Sequence, residues 1–182
     1  IVSNGLSKWC GAGGWRLGHF IIPNELKKLK NSMKVLASET FSSVSAPIQY
    51  AAISAYEKDM SEYVKSSRNI LKNVGKYVYD NLTSNKVLIS KSQGGFYLMP
   101  EFVDKKFISS EEMCADLLNN TGVVLLPGSD FGFSKNKLIA RLSFTDFNGE
   151  EFMKNFSSDK NIKEEDIVKF APKIVEGTKR LK

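Results

Sequence analysis

A chain of 182 residues with 42% hydrophobic and 11% aromatic residues can bury one or two cores, which excludes an intrinsically disordered protein. The net charge of +6 comes mainly from lysines spread along predicted helices. Because no dense basic block or aromatic-interleaved stripe accompanies them, we expect no nucleic-acid-binding surface. No apolar run reaches the roughly 18 residues that a membrane-spanning helix needs, and no signal peptide is visible.

The two cysteines, Cys10 and Cys114, lie far apart in the sequence and lack metal-ligand spacing. We therefore expect neither a disulfide scaffold nor a metal site, and a reducing compartment is the default. The first residue is Ile1, and it opens directly into a strand-like run. This start leads us to expect that the chain is part of a longer protein, whose preceding residues could include a targeting segment.

The first third of the sequence predicts a strand-to-helix unit of the α/β kind. Residues 1–6 and 17–22 are predicted as two buried strands joined by a glycine-rich connection. Asn24 is the predicted N-cap of the following helix. Apolar residues recur in that helix at helical spacing and are expected to face inward; they are Leu26, Leu29, Met33 and Leu36.

Two further helices follow a polar break at residues 40–43. Ser45 and Pro47 can start the first, which runs through Tyr56 and carries small alanines suited to close packing. Residues 59–82 are predicted as a long helix that links two domains and turns Val64, Leu71, Val74 and Val78 inward. The turn-like polar cluster at 81–85 then places the boundary between a first domain of residues 1–84 and a second of residues 85–182.

The remaining sequence predicts a smaller α+β domain. Strands are predicted at residues 87–90, 96–99, 123–126 and 138–144. Capping-box spacing of Ser109 with Glu112, and of Asn148 with Glu151, indicates two helix starts. Pro172 is suited to the first turn of a final helix.

The most informative segment is residues 5–18, with the sequence G-L-S-K-W-C-G-A-G-G-W-R-L-G. It resembles the pyridoxal-phosphate (PLP) attachment signature of class I and II aminotransferases. The resemblance implies that Lys8, at the end of a strand, carries PLP through its primary amine, and that Arg16 binds the phosphate with its fork of donors. One departure is that many family members place a phosphate-binding serine where this chain has Gly5, so that serine stays unassigned.

A second resemblance lies in residues 94–100, 127–132 and 140–144, whose order and separation are similar to the small domain of the same family. It implies that Arg141 binds the α-carboxylate of the substrate, which would supply a partner for a charge among apolar neighbours. Gly95 could line the substrate pocket or be an ordinary strand entry. Ser42, near Thr40 and Ser43, could reach the phosphate of a neighbouring subunit or belong to a plain loop. His19 is expected to be a packed strand residue.

The resemblance implies the C-terminal part of a PLP-dependent transferase fold: the last strands and helices of the large domain, a linking helix and a small α+β domain. It also implies a homodimer that transfers an amino group from an amino acid to a 2-oxo acid. The reducing compartment expected from the cysteines favours a cytoplasmic location. Two alternatives stay open: a PLP-dependent lyase or synthase of the same fold, and a non-catalytic module that keeps the fold. Because the family's residues before the lysine are missing, we expect the chain by itself to be inactive.

Overall fold

A computed structural model describes residues 1–103, 106–157 and 159–182. The protein divides into two compact units, Ile1–Val64 (unit 1) and Lys65–Lys182 (unit 2). This division after Val64 differs from the domain boundary that the sequence predicts after residue 84. The boundary after residue 84 concerns the domains of a longer protein, and it stays a prediction.

Unit 1 begins with two short antiparallel strands, β1 (Val2–Gly5) and β2 (Gly18–Ile21), in which Val2 pairs with Ile21 and Gly5 with Gly18. The predicted strands are therefore present but shorter. The expectation that they are buried was wrong, because Val2 is 56% exposed and Ile21 59% exposed. Within the described residues this sheet has only two strands, so much of its surface stays accessible.

The connection between β1 and β2 contains a one-turn helix, α1 (Leu6–Trp9), and a 3₁₀ turn at Gly13–Trp15. After β2, a second 3₁₀ turn, Asn24–Leu26, leads into helix α2 (Lys27–Thr40). The predicted cap at Asn24 was wrong: Asn24 lies inside the turn, its backbone carbonyl accepts from the N–H of Lys27, and its side chain caps nothing.

The prediction that the apolar side chains of α2 face inward was also wrong, because the helix buries none of its residues. Leu29 is 42% exposed and Leu36 is 64% exposed. The spacing predicted the helix correctly, but within unit 1 its apolar side chains are left accessible to solvent.

Helix α3 (Ala46–Glu57) begins with Pro47 in its first turn, as predicted. It supplies Ala52 to the small core of unit 1, where that alanine packs with Leu6 and Leu17. Leu6 follows β1 directly and Leu17 precedes β2, so this core anchors both ends of the connection between the strands.

Helix α4 (Ser61–Leu82) is the predicted long helix. Its residues Ile70, Val74 and Val78 recur at intervals of four, so they form one stripe, and all three are buried in the core of unit 2. The prediction that Val74 and Val78 face inward is confirmed.

The described residues of unit 2 form two small antiparallel sheets. A three-stranded sheet has the order β4 (Tyr97–Leu98), β7 (Ala140–Ser143), β6 (Leu126–Pro127), and a two-stranded sheet pairs β3 (Val87–Leu88) with β5 (Glu101–Phe102). Three of the four predicted strands are present but shorter. The fourth, predicted at residues 123–126, is displaced to Leu126–Pro127 and shares only Leu126 with the prediction, and β5 was not predicted. Two residues are too few to show an alternation in the sequence.

Four helices complete unit 2: α5 (Ser110–Thr121), α6 (Gly149–Asn155), α7 (Glu164–Phe170) and α8 (Pro172–Arg180). The predicted caps are confirmed, because Ser109 accepts from the N–H of Glu112 at 3.2 Å and Asn148 from that of Glu151 at 3.2 Å. The helices pack around one core in which Phe144 and Phe152 are almost fully buried.

None of the helices in the described ranges combines the length and the apolar character that crossing a membrane requires.

Candidate cofactor and substrate sites

The connection from Gly5 to Gly18 holds both predicted cofactor residues in unit 1. Its two ends are joined because the N–H of Leu6 donates to the carbonyl of Leu17 at 3.2 Å. The N–H of Ala12 donates back to the carbonyl of Leu6, also at 3.2 Å. The structure thus brings Lys8 and Arg16 together on one closed connection above the end of the β1–β2 ladder.

Lys8 lies in α1 and not at the end of β1, which corrects the expected position by a few residues. Lys8 is exposed, whereas Leu6 in the same helical turn is fully buried. The turn is therefore anchored by Leu6 while the lysine stays accessible.

Arg16 has a left-handed backbone, with φ 53° and ψ 43°. This conformation costs a non-glycine residue about 1–2 kcal/mol, so the rest of the connection must hold it there. Its Nη1 donates to the carbonyl of Gly13 at 2.9 Å, which fixes the side chain against its own loop. A guanidinium has five N–H donors, so most of them remain for a ligand.

Gly5 stands where a side chain has no room. A Cβ atom on it would lie 2.9 Å from the carbonyl oxygen of Leu17 and 3.3 Å from the Cα of Gly18. Because both neighbours are backbone atoms of the opposite strand, a serine at this position would force the two strands apart. The departure from the family pattern at Gly5 is thus built into this backbone.

Ser42 follows α2 and has a left-handed backbone, with φ 63°. Arg16 and Ser42 are the two non-glycine residues with positive φ in the ranges that the structure describes. Near Ser42, an open groove of about 910 Å³ is lined by residues that include Ser43, Leu17 and Tyr56.

His19 lies on β2 at one side of this groove. Its Nδ1 is 3.2 Å from the Oη of Tyr56, and the two rings meet edge to face with centroids 5.4 Å apart. It therefore packs as a strand residue, in line with the prediction.

Arg141 lies on β7 in unit 2, half-buried beside neighbours in the core. Its Cζ is 4.5 Å from the centre of the Tyr97 ring and 4.3 Å from that of Phe131. No carboxylate among the described residues forms a salt bridge with it. The charge is thus held by aromatic rings, and its N–H donors are not consumed by an acidic partner.

Sequence reasoning assigned no role to Tyr97 and Phe131. Tyr97 reaches Arg141 because β4 pairs with β7 in the register that places Tyr97 opposite Ser143. Phe131 comes from a 3₁₀ turn, Gly128–Phe131, that follows β6. Both aromatic residues lie in the two motifs, but their contact with Arg141 depends on this strand register and this turn, which the sequence does not show.

Gly95 has φ +72° and no atom within 4 Å of the position of a Cβ. It is exposed and lies just before β4. The positive φ explains a glycine in this turn. Arg141 lies in unit 2 as well.

Groups of three or more His, Cys, Asp or Glu that could hold a metal ion do not occur within residues 1–103, 106–157 and 159–182. Cys10 is half-buried and Cys114 buried, and both are free thiols. Burial, and to a smaller extent the charges of Asp130 and Glu111, raise the pKa of Cys114 to about 11.

Comparison with known proteins places these residues in a family. The family model described as "Aminotransferase class I and II" matches residues 1–154, which include Lys8, Arg16 and Arg141. The chain belongs to the class I and II aminotransferases. It is 33% identical over 149 residues to an aspartate aminotransferase of Sulfolobus acidocaldarius, covering 79% of this chain and 36% of the relative. It is 34% identical over 145 residues to a probable N-acetyl-LL-diaminopimelate aminotransferase of Bacillus subtilis, covering 79% of this chain and 35% of that relative.

Solved structures share the fold of this aminotransferase chain. An alanine aminotransferase from Pyrococcus furiosus superposes with a TM-score of 0.69 and 32% identity, over 78% of this chain and 36% of that protein. An aromatic aminotransferase from Pyrococcus horikoshii gives a TM-score of 0.73 over 98% of this chain and 41% of that protein, and at 23% identity it supports the fold alone. The chain spans a little over a third of the length of the relatives that it matches. The predicted fold, a part of a PLP-dependent transferase, is confirmed.

Proposed function

We propose that a longer protein containing this chain is a PLP-dependent aminotransferase, and that Lys8 carries the cofactor. The observation that carries the proposal is the closed β1–β2 connection, which holds an exposed lysine and, on the same short loop, an arginine with donors left for a ligand. The relatives named above are aminotransferases, which favours amino transfer over the lyase or synthase alternative.

The residues of the connection fit a phosphate-bearing aldehyde cofactor. A primary amine can bond to an aldehyde, and Lys8 offers one on an anchored helical turn. Arg16 can bind a phosphate dianion through the donors that its bond to Gly13 leaves available. Gly5 offers no hydroxyl, so we propose that the phosphate contact made by serine in many family members is made elsewhere in this protein.

When bound, PLP supplies an electron sink for the bonds at the substrate Cα. The amine of Lys8 would act as the base that removes the proton from the substrate Cα and as the acid that later returns a proton. Lys8 is exposed on α1, and the buried Leu6 keeps its backbone in place.

Arg141 is proposed to bind the α-carboxylate of the amino acid and of the 2-oxo acid. Its guanidinium is half-buried and has no carboxylate partner among the residues that the structure describes. A planar guanidinium matches a carboxylate with two parallel hydrogen bonds, so a bound substrate would be fixed in position and orientation. We propose that Gly95, in the turn before β4, lines the same pocket.

We also propose that the protein is a homodimer and that Ser42 reaches the phosphate of the neighbouring subunit. The exposed side chains of Phe41, the residue before Ser42, and of Tyr50, on α3, support a surface that is covered in the assembly. A cytoplasmic location is supported by the two free thiols. Because the chain spans about 36% of its relatives, we propose that the 182 residues by themselves are inactive.

The proposal is tested by reducing the full-length protein with borohydride in the presence of PLP and mapping its peptides by mass. We expect a pyridoxyl group on Lys8, and none at this position in a Lys8→Arg variant. An unmodified Lys8 in the folded full-length protein would instead favour the non-catalytic module.

The lyase alternative is separated by the requirement for an acceptor. An aminotransferase needs an added 2-oxo acid for sustained turnover of the amino donor. Release of ammonia and a 2-oxo acid from the amino donor without an added acceptor would show elimination chemistry at the same lysine.

A further inference from the structure

We infer that Tyr97 and Phe131 form an aromatic clamp that sets the substrate affinity of the protein by holding the guanidinium of Arg141 in place. The inference rests on the proposed role of Arg141 in binding the α-carboxylate. It assigns to these two side chains a positioning function that acts through Arg141.

The contact of Arg141 with the two aromatic rings is electrostatic. The Cζ of Arg141 lies 4.5 Å and 4.3 Å from the two ring centres, within the range of cation–π attraction. An aromatic face attracts a cation without accepting its N–H groups in the way that a carboxylate does. The clamp therefore stabilises a half-buried charge while its donors stay available for a ligand, which a salt bridge would not allow.

The position of Phe131 is fixed from three sides. At the start of its turn, the N–H of Gly128 donates to the carbonyl of Ile139 at 2.7 Å, just before β7. A Cβ on Gly128 would lie 2.8 Å from that same oxygen, so the close approach requires glycine. At the end of the turn, Gly132 has φ +86°, which reverses the chain.

The third side is a polar contact with α5. The hydroxyl of Ser129 donates to Oε1 of Glu111 at 2.8 Å, and the buried Ser110 donates to Oε2 at 3.3 Å. Hydrogen bonds from its own backbone N–H and then from Ser129 hold the pKa of Glu111 below its ordinary value, so it is a carboxylate at neutral pH. The turn that presents Phe131 is thus tied both to β7, which carries Arg141, and to α5.

Restraint of the Arg141 guanidinium has a consequence for substrate binding. A guanidinium restrained by two rings loses less rotational freedom when a carboxylate binds, so the bound state is favoured. The carboxylate is held in the same way before and during the reaction. Loss of one ring should therefore raise KM and leave kcat almost unchanged.

The test uses the full-length protein with PLP and the best amino donor from a panel of the protein amino acids. Phe131→Leu removes the ring and keeps an apolar side chain, and Phe131→Tyr keeps the ring. Phe133→Leu is the matched control, because Phe133 is 39% exposed against 41% for Phe131, and the rings stacked on Arg141 in the described part of the chain are those of Tyr97 and Phe131. Thermal unfolding of each variant reports any general loss of structure.

We expect Phe131→Leu to raise KM by about 3- to 10-fold with kcat within about twofold, as the loss of one cation–π contact predicts. Phe131→Tyr should keep the KM of the parent, and Phe133→Leu should not change it. In an Arg141→Gln background, Phe131→Leu should have no further effect, since the two residues act on one interaction.

Equal KM values for Phe131→Leu and Phe133→Leu would overturn the clamp, as would an undiminished effect of Phe131→Leu in the Arg141→Gln background. The proposed function fails separately. If Arg141→Lys and Arg141→Gln leave KM unchanged, Arg141 does not bind the carboxylate, whatever the Phe131 variants do.

Discussion

At the scale of single residues, the β1–β2 connection contains two glycines with opposite surroundings. A Cβ on Gly5 would meet the carbonyl of Leu17 at 2.9 Å, whereas a Cβ on Gly14 would have no atom within 4 Å. The same substitution at the two positions therefore separates a steric requirement from the general effect of replacing glycine.

We predict that Gly5→Ala lowers the free energy of unfolding of the full-length protein by about 1–3 kcal/mol, because the strands must separate to admit a methyl group. Gly14→Ala should stay within about 0.5 kcal/mol of the parent. Urea unfolding followed by fluorescence measures both. Similar losses for the two variants would show that the close approach at Gly5 is not what requires glycine.

The two thiols should react at different rates. With the pKa of Cys114 raised to about 11 from its ordinary 9.0, its thiolate fraction at pH 8 falls about 100-fold. We predict that iodoacetamide modifies the half-buried Cys10 first and leaves Cys114 largely unmodified, as peptide mass mapping would detect. Rapid modification of Cys114 in the folded protein would contradict its burial.

The same thiol contributes to the pH dependence of stability. Its pKa is higher in the folded state, so between about pH 9 and 11 the unfolded chain releases a proton that the folded chain retains. The stabilising contribution is present below pH 9 and is lost as the pH rises through this window. A Cys114→Ala variant should show a smaller loss of stability across that window than the parent.

At the scale of secondary-structure elements, α4 packs so closely on Phe144, the residue that follows β7, that one of its residues must be glycine. A Cβ on Gly75 would lie 2.9 Å from Cζ and 3.1 Å from Cε2 of Phe144, a ring that is 1% exposed. Gly177 in α8 is a useful comparison, since its Cβ would meet Val123 at an ordinary 3.7 Å.

We predict opposite signs for alanine at these two helical glycines. Gly75→Ala should destabilise the protein by about 1–3 kcal/mol through overpacking against Phe144. Gly177→Ala should stabilise it by up to about 1 kcal/mol, because alanine has the higher helix propensity. Denaturant unfolding measures both, and a Phe144→Leu substitution should relieve part of the loss in Gly75→Ala. A stabilising Gly75→Ala would contradict the close packing of α4 on Phe144.

The elements were predictable from sequence where a repeating pattern had a buried face or where a local hydrogen bond starts a helix. The stripe of α4 and the caps at Ser109 and Asn148 fall into this class, because spacing or local hydrogen bonding decides them. Spacing also predicted α2, but it could not tell what would cover the apolar side of that helix. The strand β5 is too short for any alternation to show.

The candidate site was predictable only as far as its charged residues. Lys8, Arg16 and Arg141 were identified by their motifs, and their roles stay predictions. The left-handed backbone of Arg16 and the rings beside Arg141 arise from loop closure and strand register. Neither is a property of a short stretch of sequence, so no motif could give them.

At the scale of the whole molecule, unit 1 leaves much apolar surface accessible. Exposed side chains occur on its strands, on α2 and on α3; examples are Val2, Phe20, Val35, Leu36, Phe41 and Ile53. Surfaces of this kind are normally covered in a complete protein or an assembly.

We predict that the 182-residue chain produced alone binds the dye ANS severalfold more strongly than an equal molar amount of the full-length protein. The reason is that relatives are more than twice as long, and the additional chain can cover this surface. Fluorescence titration measures the difference. Equal dye binding would show that the apolar surface of unit 1 remains open in the longer protein.

The composition of the unit 2 core also has a consequence for protein synthesis. The core combines Ile70 on α4 with Ile174 and Val175 on α8 and with Leu181 beyond it, so it draws on both ends of that unit. During translation, α4 leaves the ribosome long before the residues that bury its apolar stripe have been made. At about 5–20 residues per second the delay amounts to several seconds. Unit 2 therefore closes its core only after synthesis of its last helix, and until then the stripe of α4 is a surface that chaperones can bind.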